Sequence, residues 1–170
     1  MIVGGSTGAA ALNEAVRNLL PTLLRDFQII HLCGKGKSAE EYNHMEGYRQ
    51  FEYISKEMKD LFAAADLVIS RAGANSICEL LALRKPHILV PLSAAASRGD
   101  QILNAESFEH QGFSYVLQEE NLTNDTLLSA IRYVTEHRKD YIDAMEKSKL
   151  NEAITTVLNL LETAAKDKRK

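Results

Sequence analysis

At 170 residues, with 45% hydrophobic and 25% charged side chains and a net charge of −3, the chain reads as one ordinary globular domain with a full core. This balance argues against nucleic acid as a partner, because the one basic cluster, Lys166, Lys168, Arg169 and Lys170, has the form of a short solvated tail. No apolar run nears the ~18 residues of a membrane-spanning helix, no secretory leader is read, and Cys33 and Cys78 lie far apart without metal spacing, so a reduced, cytoplasmic protein is expected.

In chain order, Met1–Val3 is the stub of a first strand, Gly4–Gly8 a turn and Ala9–Leu20 a helix that Pro21 ends. The helix turns Leu12, Val16, Leu19 and Leu20, with Leu23 beyond, to one face. A first strand this brief points to a piece of a longer protein. Phe27–Leu32 has strand length, and Gly34–Ser38 is a loop that lacks the Walker spacing and reads as surface. A third strand is expected at Phe51–Ile54, a helix at Lys56–Ala65 with Met58, Leu61, Phe62 and Ala65 inward, and a fourth strand at Asp66–Ile69. After a glycine-centred turn come a helix at Ser76–Leu83, a strand at His87–Pro91, the small-residue loop Ser93–Gly99, a helix at Asp100–Gln111 and a strand at Ser114–Leu117. From Thr123 the chain is helical with breaks, and Ile154, Val157, Leu158 and Leu161 mark the apolar face of a last helix.

Strands alternating with short helices mean βα repeats, hence a doubly wound α/β domain with a parallel sheet covered on both faces. Ligands of such sheets sit outside the carboxyl ends of the strands, where strand order reverses. Two turns are placed for this. Gly4-Gly5-Ser6-Thr7-Gly8-Ala9 combines glycines, hydroxyls and a helix start, and Ser70-Arg71-Ala72-Gly73-Ala74-Asn75-Ser76 repeats the arrangement with one cation. Together they could clamp a nucleotide diphosphate, with Glu79 accepting from a ribose diol. Plainer roles stand beside these. Ser76 and Glu79 have the spacing of a capping box, Arg71 could pair with a carboxylate, and Asp100 could cap the helix after it. His31 and His87, set among apolar strand residues, read as hydrogen-bonded core or strand-end histidines, and none of the five histidines has metal spacing.

The two turns, followed by Pro86, Pro91 and Asp100-Gln101-x-x-Asn104-Ala105, resemble in order and spacing the carboxyl-terminal half of the MurG-like UDP-N-acetylglucosamine transferases. The resemblance covers nearly the whole chain. It implies a Rossmann-like domain, residues 1–170, that is one half of a GT-B glycosyltransferase, with 150–170 as C-terminal helix and basic tail. It also implies an absent amino-terminal domain that carries the acceptor site and the membrane-facing surface. Gly5, Ser6, Thr7 and Gly8 would meet the diphosphate, and Arg71 would lie near the nucleotide. The backbone of Ile54 would pair with the uracil edge. Gly73, Ala74, Asn75 and Ser76 would approach the phosphates and Glu79 the ribose. Gln101 would reach the sugar hydroxyls, and Asp100 and Asn104 would join it among the substrate-binding residues. The reaction implied is an inverting attack by an acceptor hydroxyl with no cofactor and no metal, consistent with a chain that lacks an Asp-x-Asp motif. The whole protein would sit on the inner face of the cell membrane and act on a lipid-linked acceptor. The piece alone would bind donor without transferring it, and its bared cleft face would favour self-association.

Some members of that family carry paired glutamines where this chain has Asp100-Gln101, which leaves the donor sugar less defined than the uridine diphosphate. A non-catalytic nucleotide-binding module, or a subunit that needs a separate partner chain, is the alternative reading. A dinucleotide oxidoreductase is disfavoured, since Leu32-Cys33 stands where an acidic residue would end the second strand.

Overall fold

Leu12, Val16, Leu19, Leu20 and Leu23 are all buried along α1 (Ala10–Leu23), as their helical spacing requires. The structure is a computed structural model that describes residues 1–5, 9–96 and 98–148; Ser6, Thr7, Gly8 and the expected last helix lie outside the described residues. The remaining elements are β1 (Ile2–Val3), β2 (Ile29–Leu32), β3 (Tyr48–Phe51), α2 (Met58–Ala64), β4 (Val68–Ser70) and α3 (Ala74–Ala82). They continue with β5 (His87–Leu89), α4 (Asp100–His110), β6 (Tyr115–Val116), α5 (Asn124–Glu136) and α6 (Arg138–Glu146).

The strands form one six-stranded sheet, every pair parallel, in the order β3-β2-β1-β4-β5-β6. Because side chains alternate along a strand, each strand feeds two cores. Ile2, Ile29, Ile69 and Ile88 pack with α1 and with Leu127, Ala130, Ile131 and Val134 of α5. Val68 and Leu89 face the other way, to Phe62, Ile77, Leu80, Leu81 and Phe108 of α2, α3 and α4. This is the doubly wound α/β arrangement expected from the βα alternation.

Several boundaries differ from the sequence reading, each for a physical reason. Pro21 does not end α1. The ring removes one N–H, but the last turn still closes through Leu24 N to Leu20 O at 2.9 Å, and burying Leu23 at 4% exposure holds it. The third strand begins at Tyr48 and ends at Phe51, so Ile54 lies beyond it. Its polar Arg49 and Gln50 hid it from an apolar-run criterion, yet an edge strand tolerates them, and the fully buried Tyr48 anchors it against Ile29. Helix α3 starts two residues before Ser76 and α2 two residues after Lys56. Downstream, Thr123 caps α5 in a reciprocal box with Thr126.

Two buried histidines are satisfied inside the fold. Asn13 donates Nδ2 to Cys33 O at 2.8 Å, so its Oδ1 is the acceptor for His31 Nε2 at 2.9 Å. His31 Nδ1 then accepts from the Tyr48 hydroxyl at 2.9 Å. By the same logic His87 donates Nδ1 to Lys85 O at 2.6 Å and accepts from the Ser114 hydroxyl. Both rings are neutral, and burial lowers each pKa from 6.5 to about 4, with the Arg17 charge adding to the effect at His31.

Candidate functional site

From β1 the chain moves to β2 on one side, and from β4 to β5 on the other, although β1 and β4 are direct neighbours with Val3 opposite Ser70. The crevice between their carboxyl ends is therefore the switch point of the sheet. Both glycine turns open there. Gly4 N continues the ladder to Leu32 O at 3.1 Å, and Gly5, at φ 80°, takes the left-handed conformation that turns the chain toward α1.

On the β4 side the turn 71–73 is short, and Gly73 occupies the cap position of α3 without any side-chain cap bond. The first bond inside the helix runs from Ile77 N to Gly73 O at 3.0 Å. Ala74, Asn75 and Ser76 thus present the N–H groups that have no helical acceptor, at the positive end of the helix. The capping-box role of Ser76 and Glu79 is not realised. Ser76 falls in the third helical position and Glu79 three residues further on, exposed, because the helix already starts at Ala74. Asp100 is likewise not a cap: it is the first residue of α4, and Gly99, at φ 84°, precedes it as cap.

Gly99→Ala is expected to destabilise the chain by ~1–2 kcal/mol, since no neighbour crowds the new methyl group but the left-handed backbone disfavours any Cβ. Urea unfolding of the variant checks this, and an unchanged midpoint would count against it.

Arg71 is buried at 8% exposure. Its Nη1 donates to Val90 O at 3.0 Å and to Pro91 O at 3.3 Å, and its Nη2 forms an ion pair with Glu119. Of the roles its position allowed, pairing with a carboxylate is present in the structure. The other Glu119 oxygen accepts from Ser93 N at 3.3 Å, and Gln101 Oε1 accepts from Leu92 N at 3.1 Å. Asn104 Nδ2 donates to Ala72 O at 3.0 Å, which ties α4 to the β4 turn. So Gly5, Arg71, Gly73, Ala74, Asn75, Ser76, Asp100, Gln101 and Asn104 belong to turns and helix starts at the carboxyl side of the sheet. Glu79 lies one and a half turns into α3, and Ile54 lies just past the edge strand β3. Glu119 was missed by sequence reasoning. It sits in the polar run Gln118-Glu119-Glu120-Asn121, 48 residues from its partner, with nothing local to mark it.

Among the described residues no group of histidine, cysteine or carboxylate side chains is arranged to hold a metal ion. The cysteines are free, Cys33 buried and Cys78 exposed. Leu32 and Cys33 close β2 without an acidic side chain, which leaves the ribose grip of a dinucleotide fold without its carboxylate.

Residues 1–160 match the family model described as the glycosyltransferase family 28 C-terminal domain. A UDP-N-acetylglucosamine–N-acetylmuramyl-(pentapeptide) pyrophosphoryl-undecaprenol N-acetylglucosamine transferase of Lachnoclostridium phytofermentans is 67% identical over 162 residues, 95% of this chain and 46% of that protein. A protein of the same description from Clostridium perfringens is 52% identical over 165 residues, 97% of this chain and 46% of its own length. Among solved structures, MurG of Acinetobacter baumannii superposes with a TM-score of 0.78 at 26% identity, over 95% of this chain and 48% of that one. The chain spans about half the length of the curated relatives it matches. Matched along almost all its length and folded like half of MurG, this chain belongs to the glycosyltransferase family 28 C-terminal domain family.

Proposed function

We propose that residues 1–170 form the donor-binding domain of an inverting glycosyltransferase, with UDP-N-acetylglucosamine as donor and a lipid-linked peptidoglycan precursor as acceptor of the whole protein. The observation that carries this reading is the β1–β4 switch point, where α3 starts at Ala74 with uncapped N–H groups and Glu79 stands exposed with no capping duty. A diphosphate there meets the N–H groups of Ala74, Asn75 and Ser76 and the turn of Gly5, Ser6, Thr7 and Gly8. Glu79 accepts from the ribose hydroxyls, Ile54 offers backbone to the base, and Gln101 reaches the sugar with Asp100 and Asn104 beside it. As the bond to the anomeric carbon breaks, charge grows on the departing diphosphate. Fixed N–H dipoles stabilise that charge without reorganising, and this is how the domain lowers the barrier.

The half of the relatives' length that this chain does not span would supply the acceptor site and the base. Donor binding without transfer is then the expected behaviour of the chain alone. Among the described residues no helix is long and apolar enough to cross a membrane. The whole protein would meet its lipid-linked acceptor from the inner membrane face.

Calorimetric titration with UDP, UDP-N-acetylglucosamine and NAD tests the reading. Both uridine ligands are expected to bind and NAD is not. Glu79→Ala should weaken both by roughly 10- to 100-fold, the worth of charge-assisted bonds to a diol. Binding of neither uridine ligand would move a non-catalytic module, or a subunit completed by a partner chain, ahead of this proposal.

A further inference from the structure

Val90 N still closes the sheet ladder to Ser70 O at 2.8 Å, but from the Val90 carbonyl to Ser93 N the backbone of the stretch leaving β5 is bonded by side chains from elsewhere. Arg71 donates to the carbonyls of Val90 and Pro91, Gln101 accepts from Leu92 N, and Glu119 accepts from Ser93 N while it pairs with Arg71. Four consecutive residues are thus fastened by three side chains from the β4 turn, α4 and the segment after β6. Glu119 ties the two ends of this clamp together, one carboxylate oxygen on the Arg71 guanidinium and the other on Ser93 N.

The chemistry of the clamp also orients Gln101. A backbone N–H can only donate, so the atom facing Leu92 N is the amide oxygen, and the NH2 group is left for another acceptor. No described residue accepts from that NH2. Gln101 is therefore set as a donor, its acceptor side already taken by Leu92 N. A sugar hydroxyl or N-acetyl carbonyl oxygen accepts such a bond, whereas the diphosphate and base are addressed by other segments.

We infer that Glu119 is a positioning residue for the sugar arm of the donor: it holds residues 90–93 and Arg71 so that the Gln101 amide offers its NH2 to the sugar. This inference rests on the reading of the site as one for a UDP-sugar. Glu119 touches no part of the donor itself.

Glu119→Gln is the discriminating variant. A carboxylate accepts on both oxygens, whereas an amide accepts on one; that oxygen stays with the charged Arg71 donor, so the variant loses the weaker Ser93 contact. In calorimetry on the intact chain, the dissociation constant for UDP-N-acetylglucosamine should rise about tenfold and that for UDP by less than about twofold. By NMR, hydrogen exchange at Ser93 N–H should quicken at least roughly tenfold while Leu89 and Val90 in the sheet stay protected. Gln101→Glu keeps an acceptor for Leu92 and deletes the donor. It should reproduce the selective loss of sugar-nucleotide affinity with Ser93 exchange unchanged.

Equal weakening of UDP and UDP-N-acetylglucosamine by Glu119→Gln, or unaltered Ser93 exchange, would overturn the inference. So would a wild-type chain that binds the two ligands equally, or Gln101→Glu binding like wild type. General loss of sheet protection in Glu119→Gln would make Glu119 a determinant of the fold and overturn it too. A wild-type chain that binds neither ligand would instead overturn the site reading and the sugar role with it, and Ser93 exchange would then decide by itself whether Glu119 holds the loop.

Discussion

Glu119→Leu is expected to cost roughly 2–4 kcal/mol of stability, and Arg71→Met a similar amount, whereas the double variant loses far less than the sum. The reason is the asymmetry of a desolvated pair. With side-chain exposures of 10% for Arg71 and 17% for Glu119, either partner left alone is a charge mostly removed from water, and leaving it so is what destabilises. Partial exposure and solvent screening put the figure at the lower end of what breaking a fully buried pair costs. The double variant is not neutral, because the carbonyls of Val90 and Pro91 lose their Arg71 donor. About 1 kcal/mol for each lost bond remains. A four-member cycle by urea denaturation, with a coupling above roughly 1.5 kcal/mol, is the expected result. Additive single effects would mean that the pair is solvated and that the turn is held by packing alone.

Acid should unfold the chain earlier than its carboxylates alone would. His31 and His87 are buried neutral with pKa values of about 4, against 6.5 for a free imidazole. A folded pKa below the unfolded one means that the unfolded state takes up protons first. The stability from these groups is complete above pH 6.5 and drains away as the pH falls from 6.5 to 4. The full loss is up to roughly 3 kcal/mol for each ring, a large share of the stability of a domain this size. Unfolding free energies measured at intervals between pH 7 and 4.5 should fall with a slope approaching two protons, about 2.7 kcal/mol per pH unit. A profile flat to pH 5 would show that the rings charge without leaving their partners.

What the sequence discloses follows from which interactions are local. The stripe Leu12, Val16, Leu19, Leu20 and Leu23 repeats every turn, and the apolar Val68-Ile69 and Ile88-Leu89 pairs are short runs between breakers, so α1, β4 and β5 announce themselves. The histidines were legible as core residues because only apolar neighbours flank them. Pro21 misled because proline's local cost is visible, while the burial of Leu23 that outweighs it is set by α1 packing on the sheet. Strand β3 was displaced by three residues because its stability comes from Tyr48 and from a neighbour, not from an apolar run. At the site, glycines and helix starts could be read directly. The partner of Arg71 could not, since Glu119 is joined to it only by the return of the chain through β6.

The chain of bonds from Asn13 through His31 to Tyr48 joins α1, β2 and the edge strand β3. Greasy contacts between parallel strands are forgiving about alignment, because one aliphatic side chain replaces another with little penalty. A bond between a ring nitrogen and a phenol is not. If β3 slid by one residue along β2, Tyr48 would swing to the opposite side of the sheet, and Arg49 would bring a charge into the interior where the phenol now lies, leaving His31 without its donor. Three hydrogen-bonding side chains in the interior thus act as a registration key, selecting one alignment of the outermost strand from several that hydrophobicity alone would leave nearly equal.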